Sequence, residues 1–272
     1  MNNNPGVAAL SAQPSSSSQS APTAQQPASP HSSSPQSSSR LAQVRQQALA
    51  VWRNIRGLVI FLALMSLFRS AIADHMQVPT GSMNPTVVEG DQILVNKMAY
   101  GLRIPFTHLW LYEGNGPKRG DVITFDSPED GGTWLKRVVG LPGDTIEMRD
   151  EMLIINGQPL GYKPGDVTAA EALPQRTRSM RLQFANEQLG DVNHPIMIMP
   201  DVRSPVRTFS AVTIPAGQYL LLGDNRDNSK DSRYIGLIGR ELITGHAHTV
   251  LLSLNGDRHY LPRGGRFIKP LN

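Results

Sequence analysis

Apolar positions along the chain fall into zones of different rhythm. Ser, Pro, Gln and Ala make up most of residues 1–40, where Arg40 is the only charged side chain. So little apolar surface cannot offset the entropy lost on ordering, so 1–40 is expected to be a disordered tail. A basic segment, 41–56, follows, and then 57–68 (GLVIFLALMSLF) runs without a charge between Arg56 and Arg69. Twelve residues are too few to span a bilayer, but 57–73 reaches 17 if Arg69 extends its head toward the lipid headgroups. A transmembrane helix over 57–73 is the expectation.

Beyond Val78 the rhythm changes to short runs punctuated by Gly, Pro, Asn and Asp. The segments 93–95, 122–125, 134–139 and 219–222 read as strands, and 145–155 reads as a hairpin turning at Asp150-Glu151. Asn156-Gly157 starts a further turn. Residues 157–213 are less patterned and rich in proline, which suggests a smaller inserted region within an extracytoplasmic domain, 74–272. The expected fold is mostly β, with one N-terminal transmembrane helix.

Charge then sets an orientation. Arg40, Arg45, Arg53 and Arg56 precede the apolar run, while Asp74 and His75 follow it. Basic residues stay on the cytoplasmic side, so the tail is expected inside and the β-rich domain outside. Ala71-Ile72-Ala73 also has the look of a cleavage site, so a cleaved signal peptide competes with an anchor. The long leader before the apolar run favours the anchor. A buried core helix is the third reading of the same segment.

Composition narrows the chemistry. The net charge is only +4 and charged residues make up 18%. That disfavours a nucleic-acid binder saturated with basic side chains. With no cysteine, disulfides, thiol catalysis and thiolate-held metals are excluded. The nucleophile-elbow, dinucleotide, zinc-helix and phosphate-loop motifs are missing. The acidic run 224–231 lacks calcium-loop spacing, and His246 and His248 read as ordinary strand positions. No metal and no cofactor is expected.

What remains is 78–86 (VPTGSMNPT), 134–144 (WLKRVVGLPGD) and 223–233 (GDNRDNSKDSR). Singly, these could be a turn, a strand with a solvated lysine, and a loop tied by its own Asn and Asp side chains. Together, with 90–101 (GDQILVNKMAYG) and 118–125 (KRGDVITF), they resemble the type I signal peptidases of bacteria, the leader peptidase family. The resemblance implies a membrane-bound serine–lysine endopeptidase that removes signal peptides from exported preproteins after small-x-small motifs. It places the nucleophile at Ser82 and the general base at Lys136, which apolar strand neighbours can desolvate. Thr80 and the Ser82 N–H would form the oxyanion hole, though serine is commoner than threonine at the first position. Ser229 would hydrogen-bond the amine, Asp231 and Arg233 would shape their loop, and Asn225 and Gly223 would fix its turn. Gln77 and Val78 would offer an edge to extended substrate. Preproteins and membrane lipid are the expected partners, with no nucleic acid. A serine–lysine autoprotease and an inactive membrane-tethered β domain are the competing readings.

Overall fold

The computed structural model describes residues 36–71, 73–104, 107 and 109–271, so most of the expected tail lies outside the described residues. Contacts divide the chain between Arg56 and Gly57. Every described residue before that point is helical, within a helix α1 spanning Gln36–Ala71. Inside it, Ala42–Ser66 is long and apolar enough to cross a membrane. Its 25 residues rise about 37 Å, against the roughly 30 Å of a bilayer's hydrocarbon core.

Both ends of this helix depart from the hydropathy expectation. Residues 36–40 open the helix instead of closing the tail, because the Gln, Arg, Leu and Ala that follow are good helix formers and extend it past the apolar run. At the other end the helix stops at Ala71, and Ala73 already pairs with Asn96 in a sheet. The helical part of 57–73 would rise only about 22 Å, so a span must draw on residues before Gly57.

After α1 the chain is mostly strand. Among its strands, in chain order, are β1 (Ala73–Gln77), β2 (Asp91–Asn96), β3 (Val122–Asp126), β4 (Thr133–Gly140), β5 (Thr145–Arg149) and β6 (Met152–Ile155). They continue with β7 (Gly161–Pro164), β8 (Gln183–Leu189), β9 (Val192–Ile198), β10 (Phe209–Thr213), β11 (Gln218–Leu222), β12 (Ile238–Gly239) and β13 (Ile243–Asn255). The main antiparallel sheet runs β1–β2–β13–β3–β4–β11–β12, with two short strands, Leu261–Pro262 and Lys269–Pro270, added along β13. Its β1 end is an edge among the described residues.

Alternation along these strands sorts side chains into separate cores. In β2, Ile93 and Val95 turn inward to join Val78, Met83, Val87, Val122 and Leu135 in one cluster. Ile123, Phe125 and Val138, one residue out of step with Val122 and Leu135, pack with Tyr219, Leu221 and Ile243 in another. Strands β3 and β4 are thus buried on both faces, and a polar side chain placed on β4 is removed from water by its position alone.

The hairpin β5–β6 turns at Asp150 and Glu151, both at positive φ, as a tight two-residue connection with the strands' own twist requires. The region 157–213 does not form one insert. Strands β7, β8 and β9 make a separate three-stranded sheet, whereas β10 returns to pair with β5. The return follows from apolar burial, since Phe209 packs on Ile146, Met148 and Leu153.

Candidate active site

Three chain segments converge at the β1 edge. The first is the turn after β1, held by backbone bonds from Val78 N to Asp91 O (2.9 Å) and Val87 N to Met83 O (3.0 Å). Met83, Val87 and Val88 are buried and anchor the turn, while Ser82 keeps partial access to solvent. A side chain at Gly81 would put its Cβ 2.5 Å from Asn84 Nδ2 and 2.8 Å from Glu89 Oε1, so both side-chain ends would have to move aside to admit one.

Strand β4 supplies the second component. Lys136 sits opposite Ile123, on the face shared with Trp134 and Val138. Its Nζ lies 3.0 Å from Ser82 Oγ and donates to Leu135 O at 2.9 Å. The Trp134 ring centroid is 5.6 Å away. Burial pushes the amine's pKa down to about 8, against the opposing pull of Asp231 and Asp224 and with help from the Arg233 charge. An amine poised near neutrality beside a hydroxyl is what proton abstraction from serine needs.

The loop after β11 is the third. Asn225 donates from its backbone N–H to Ser82 O (3.1 Å) and from Nδ2 to Gly81 O (3.0 Å). It therefore fastens the serine turn, a reach the expected role of fixing its own loop did not include. A Cβ at Gly223 would collide with Ser82 O and Ser229 Oγ, so the loop can approach the serine only with glycine there. Asp231 caps the short helix Ser232–Ile235 and accepts from Gly223 N (3.0 Å). It also takes both arms of the Arg233 guanidinium at 2.8 Å, and Arg233 donates onward to Arg226 O (2.7 Å).

Not every residue singled out in the sequence sits as expected. The Ser229 hydroxyl is buried without a hydrogen-bond partner among the described residues, and Lys136 spends its bonds on Ser82 and Leu135. That hydroxyl packs close against Gly223, where an added Cβ would lie only 2.5 Å from Ser229 Cβ. Val78 is not a free edge. Its side chain lies in the core, its N–H bonds Asp91 O, and its C=O accepts from Gly90 N at 2.9 Å. Strand alternation therefore turns the main-chain groups of the exposed Gln77 outward. Thr80 is exposed at the mouth of the site. A cleft of about 450 Å³ opens here between Met76, Val78, Met83, Trp134 and Leu135, with Ser82 and Lys136 in its wall.

A buried ion pair escaped the sequence reading. Arg137, next to the lysine, grips Asp224 through Nε and Nη2 at 2.8 Å each, and both side chains are essentially inaccessible. Burial raises the Asp224 carboxyl, but the Arg137 charge and its hydrogen bonds, with His194, outweigh it and hold the group far below the usual range. The available signal was an arginine inside an apolar strand run, which cannot be buried there without a carboxylate.

A hydroxyl held against a desolvated amine, beside an open sheet edge, is the apparatus of an acyl-transfer hydrolase acting on extended peptide. The family model for signal peptidase, peptidase S26, matches residues 51–252. The signal peptidase I of Pseudomonas fluorescens is 37% identical over 217 residues, covering 72% of this chain and 69% of the relative. That of Pseudomonas aeruginosa is 38% identical over 213 residues, with the same coverage of 72% and 69%. A solved signal peptidase I from Enterococcus faecalis aligns at 32% identity over 48% of this chain and 97% of its own, with a TM-score of 0.31. The chain belongs to the peptidase S26 family of signal peptidases, and is a serine endopeptidase.

Proposed function

We propose that this enzyme cleaves signal peptides from exported preproteins after small-x-small motifs, with Ser82 as nucleophile and Lys136 as general base. The observation that carries the reading is the 3.0 Å approach of a buried lysine amine to the serine hydroxyl. A neutral amine donates one hydrogen to Leu135 O and keeps its lone pair for the Ser82 O–H. As Oγ attacks the scissile carbonyl carbon, the hydroxyl proton passes to Nζ. The Ser82 N–H and the Thr80 hydroxyl meet the oxygen as it gains charge. The ammonium then protonates the departing amine, the C–N bond breaks, and an acyl-serine remains. Water, deprotonated by the same amine, releases the signal peptide and regenerates Ser82.

Selectivity follows from the cleft. Main-chain groups of Gln77 pair the extended substrate, and the apolar pocket beside Ser82 admits small side chains. The basic residues of α1 keep its N-terminal end in the cytoplasm and the β-rich domain on the outer face of the membrane. Ser82 follows Ala73 by nine residues, which reach at most roughly 30 Å, so the nucleophile stays near the bilayer where cleavage sites emerge. Incubation of the detergent-solubilised enzyme with an exported preprotein tests this. Cleavage after a small-x-small site is expected, and its persistence in Ser82→Ala would overturn the reading.

A further inference from the structure

Strand β1 has a second face. Met76 and Val78 border the cleft with Ser82, so alternation turns Gln77 to the opposite side. There Gln77 borders another hollow, of about 310 Å³, whose wall includes Glu89, Pro174, Arg176, Asp257 and Tyr260. Val78 and Pro79 line both the cleft and this hollow, which therefore adjoin across the end of β1. Backbone closes the floor. Gly90 N donates to Val78 O and Leu254 N to Gly90 O, both at 2.9 Å. Arg263 pins the same floor, donating from Nη1 to Glu89 O at 2.9 Å and to Leu254 O at 2.8 Å.

Two carboxylates and two prolines set what the hollow can hold. Glu89 accepts from Arg176 Nη2 at 3.2 Å and from Asn84 Nδ2 at 3.4 Å. The Glu89 side chain is mostly buried, whereas that of Arg176 is 75% exposed, so the arginine gives way to water or to a rival cation at little cost. Asp257 adds a second carboxylate, which accepts from Gln175 N at 2.7 Å. The other cation in the lining, Arg263, has its Nη1 committed to the floor. Pro79 and Pro174 supply apolar surface between these groups. The hollow favours donors.

An extended substrate beside β1 continues the sheet and keeps its alternation. Its two small residues face the cleft, so the residue between them faces the side of Gln77. Neighbouring strands lie roughly 4.8 Å apart, so only a long side chain crosses Pro79 and enters the hollow. We propose that the hollow is the binding site for the middle residue of the small-x-small motif. It selects lysine, arginine or glutamine, whose stems lie on the prolines and whose heads donate to Glu89. This rests on the cleavage reading above. A short residue leaves the hollow to water, and a glutamate meets two carboxylates.

Four versions of one signal-peptide substrate, with alanine, glutamine, lysine or glutamate at the middle position, test this on the detergent-solubilised enzyme. Lysine and glutamine are expected to raise kcat/KM roughly fivefold over alanine, mostly through KM, and glutamate to give no gain. Gly256→Leu fills the hollow, because Gly256 lines it and an added Cβ there meets no atom within 4 Å. It should abolish the advantage of lysine over alanine. Arg176→Ala removes the rival cation from Glu89 and should widen that advantage. The proposal is overturned if the native enzyme cuts the four versions equally, or if glutamate gains as much as lysine. It is equally overturned if the advantage survives Gly256→Leu or fails to grow in Arg176→Ala. No cleavage of any version, or cleavage that persists in Ser82→Ala, would instead bring down the proposed function, and this site with it.

Discussion

Lys136 carries the largest chemical burden of any single side chain here, because water would hold it as an ammonium. Its amine is held near a pKa of about 8 by burial. In the proposed mechanism the neutral form is the active one, so activity should be nearly complete above that value and fall tenfold per pH unit well below it. Lys136→Arg should be inactive throughout, since guanidinium stays charged at any usable pH. A flat rate profile between pH 6 and 9 (roughly two units below that value to one above it) would contradict this assignment. Thr80 is the second test at this scale. Charge on the substrate oxygen grows only during attack, so a donor there acts on the transition state more than on the bound substrate. Thr80→Ser should be nearly silent, and Thr80→Val should lower kcat by roughly 10²–10³ with a much smaller change in KM. A fully active valine variant would show that the hydroxyl is not used.

Single elements contribute through what their edges and burial leave available. Strand β1 has β2 on one side only, and alternation aims the Gln77 main chain outward while Val78 is consumed by Asp91 and Gly90. Gln77→Pro removes one outward N–H and no sheet bond. KM for a preprotein should rise several-fold, about the loss of one net hydrogen bond, with kcat at saturation much less affected. An equal KM would mean that substrate does not pair with β1. Strand β4 contributes the opposite property, since being buried on both faces is what keeps Lys136 dry. The pattern of 134–139 shows a strand, but only its central place between β3 and β11 dictates how dry the lysine becomes.

At the scale of the molecule, buried charges tie the small sheet to the catalytic loop and make stability depend on acid. The Glu187 pKa in the folded chain is about 2, below its ordinary 4.5. Its stabilising contribution is therefore complete above about 4.5 and is lost as pH falls through about 2. The buried Asp224, shifted in the same direction, adds to this acid sensitivity. Urea midpoints at pH 7 and about pH 3 should differ less in Glu187→Gln than in the native protein, provided both remain folded. Orientation in the membrane is tested separately, by adding a protease to intact spheroplasts. It should digest the β-rich domain and spare the segment before α1, and a protected domain would reverse the proposed topology.

Local chemistry was legible from the residues themselves. The apolar stretch, the turn residues, the short β runs and the ordered boxes around Ser82, Lys136 and Asp231 depend on near neighbours in the chain, which periodicity and motif spacing report. Helix ends were less legible, because good helix formers carry α1 beyond its apolar part and strand pairing at Ala73 ends it early. The main-chain bonds that occupy Val78, the burial of the Ser229 hydroxyl without a hydrogen-bond partner among the described residues and the grip of Asn225 on the serine turn all depend on contacts between segments far apart in sequence. The same holds for His194. It lies in the least patterned stretch of the chain, and only the packing of β9 against the loop after β11 places its ring between two carboxylates. Sequence spacing determines which side chains share a strand face, whereas burial, and with it the protonation of the lysine, is decided when the sheets close over it.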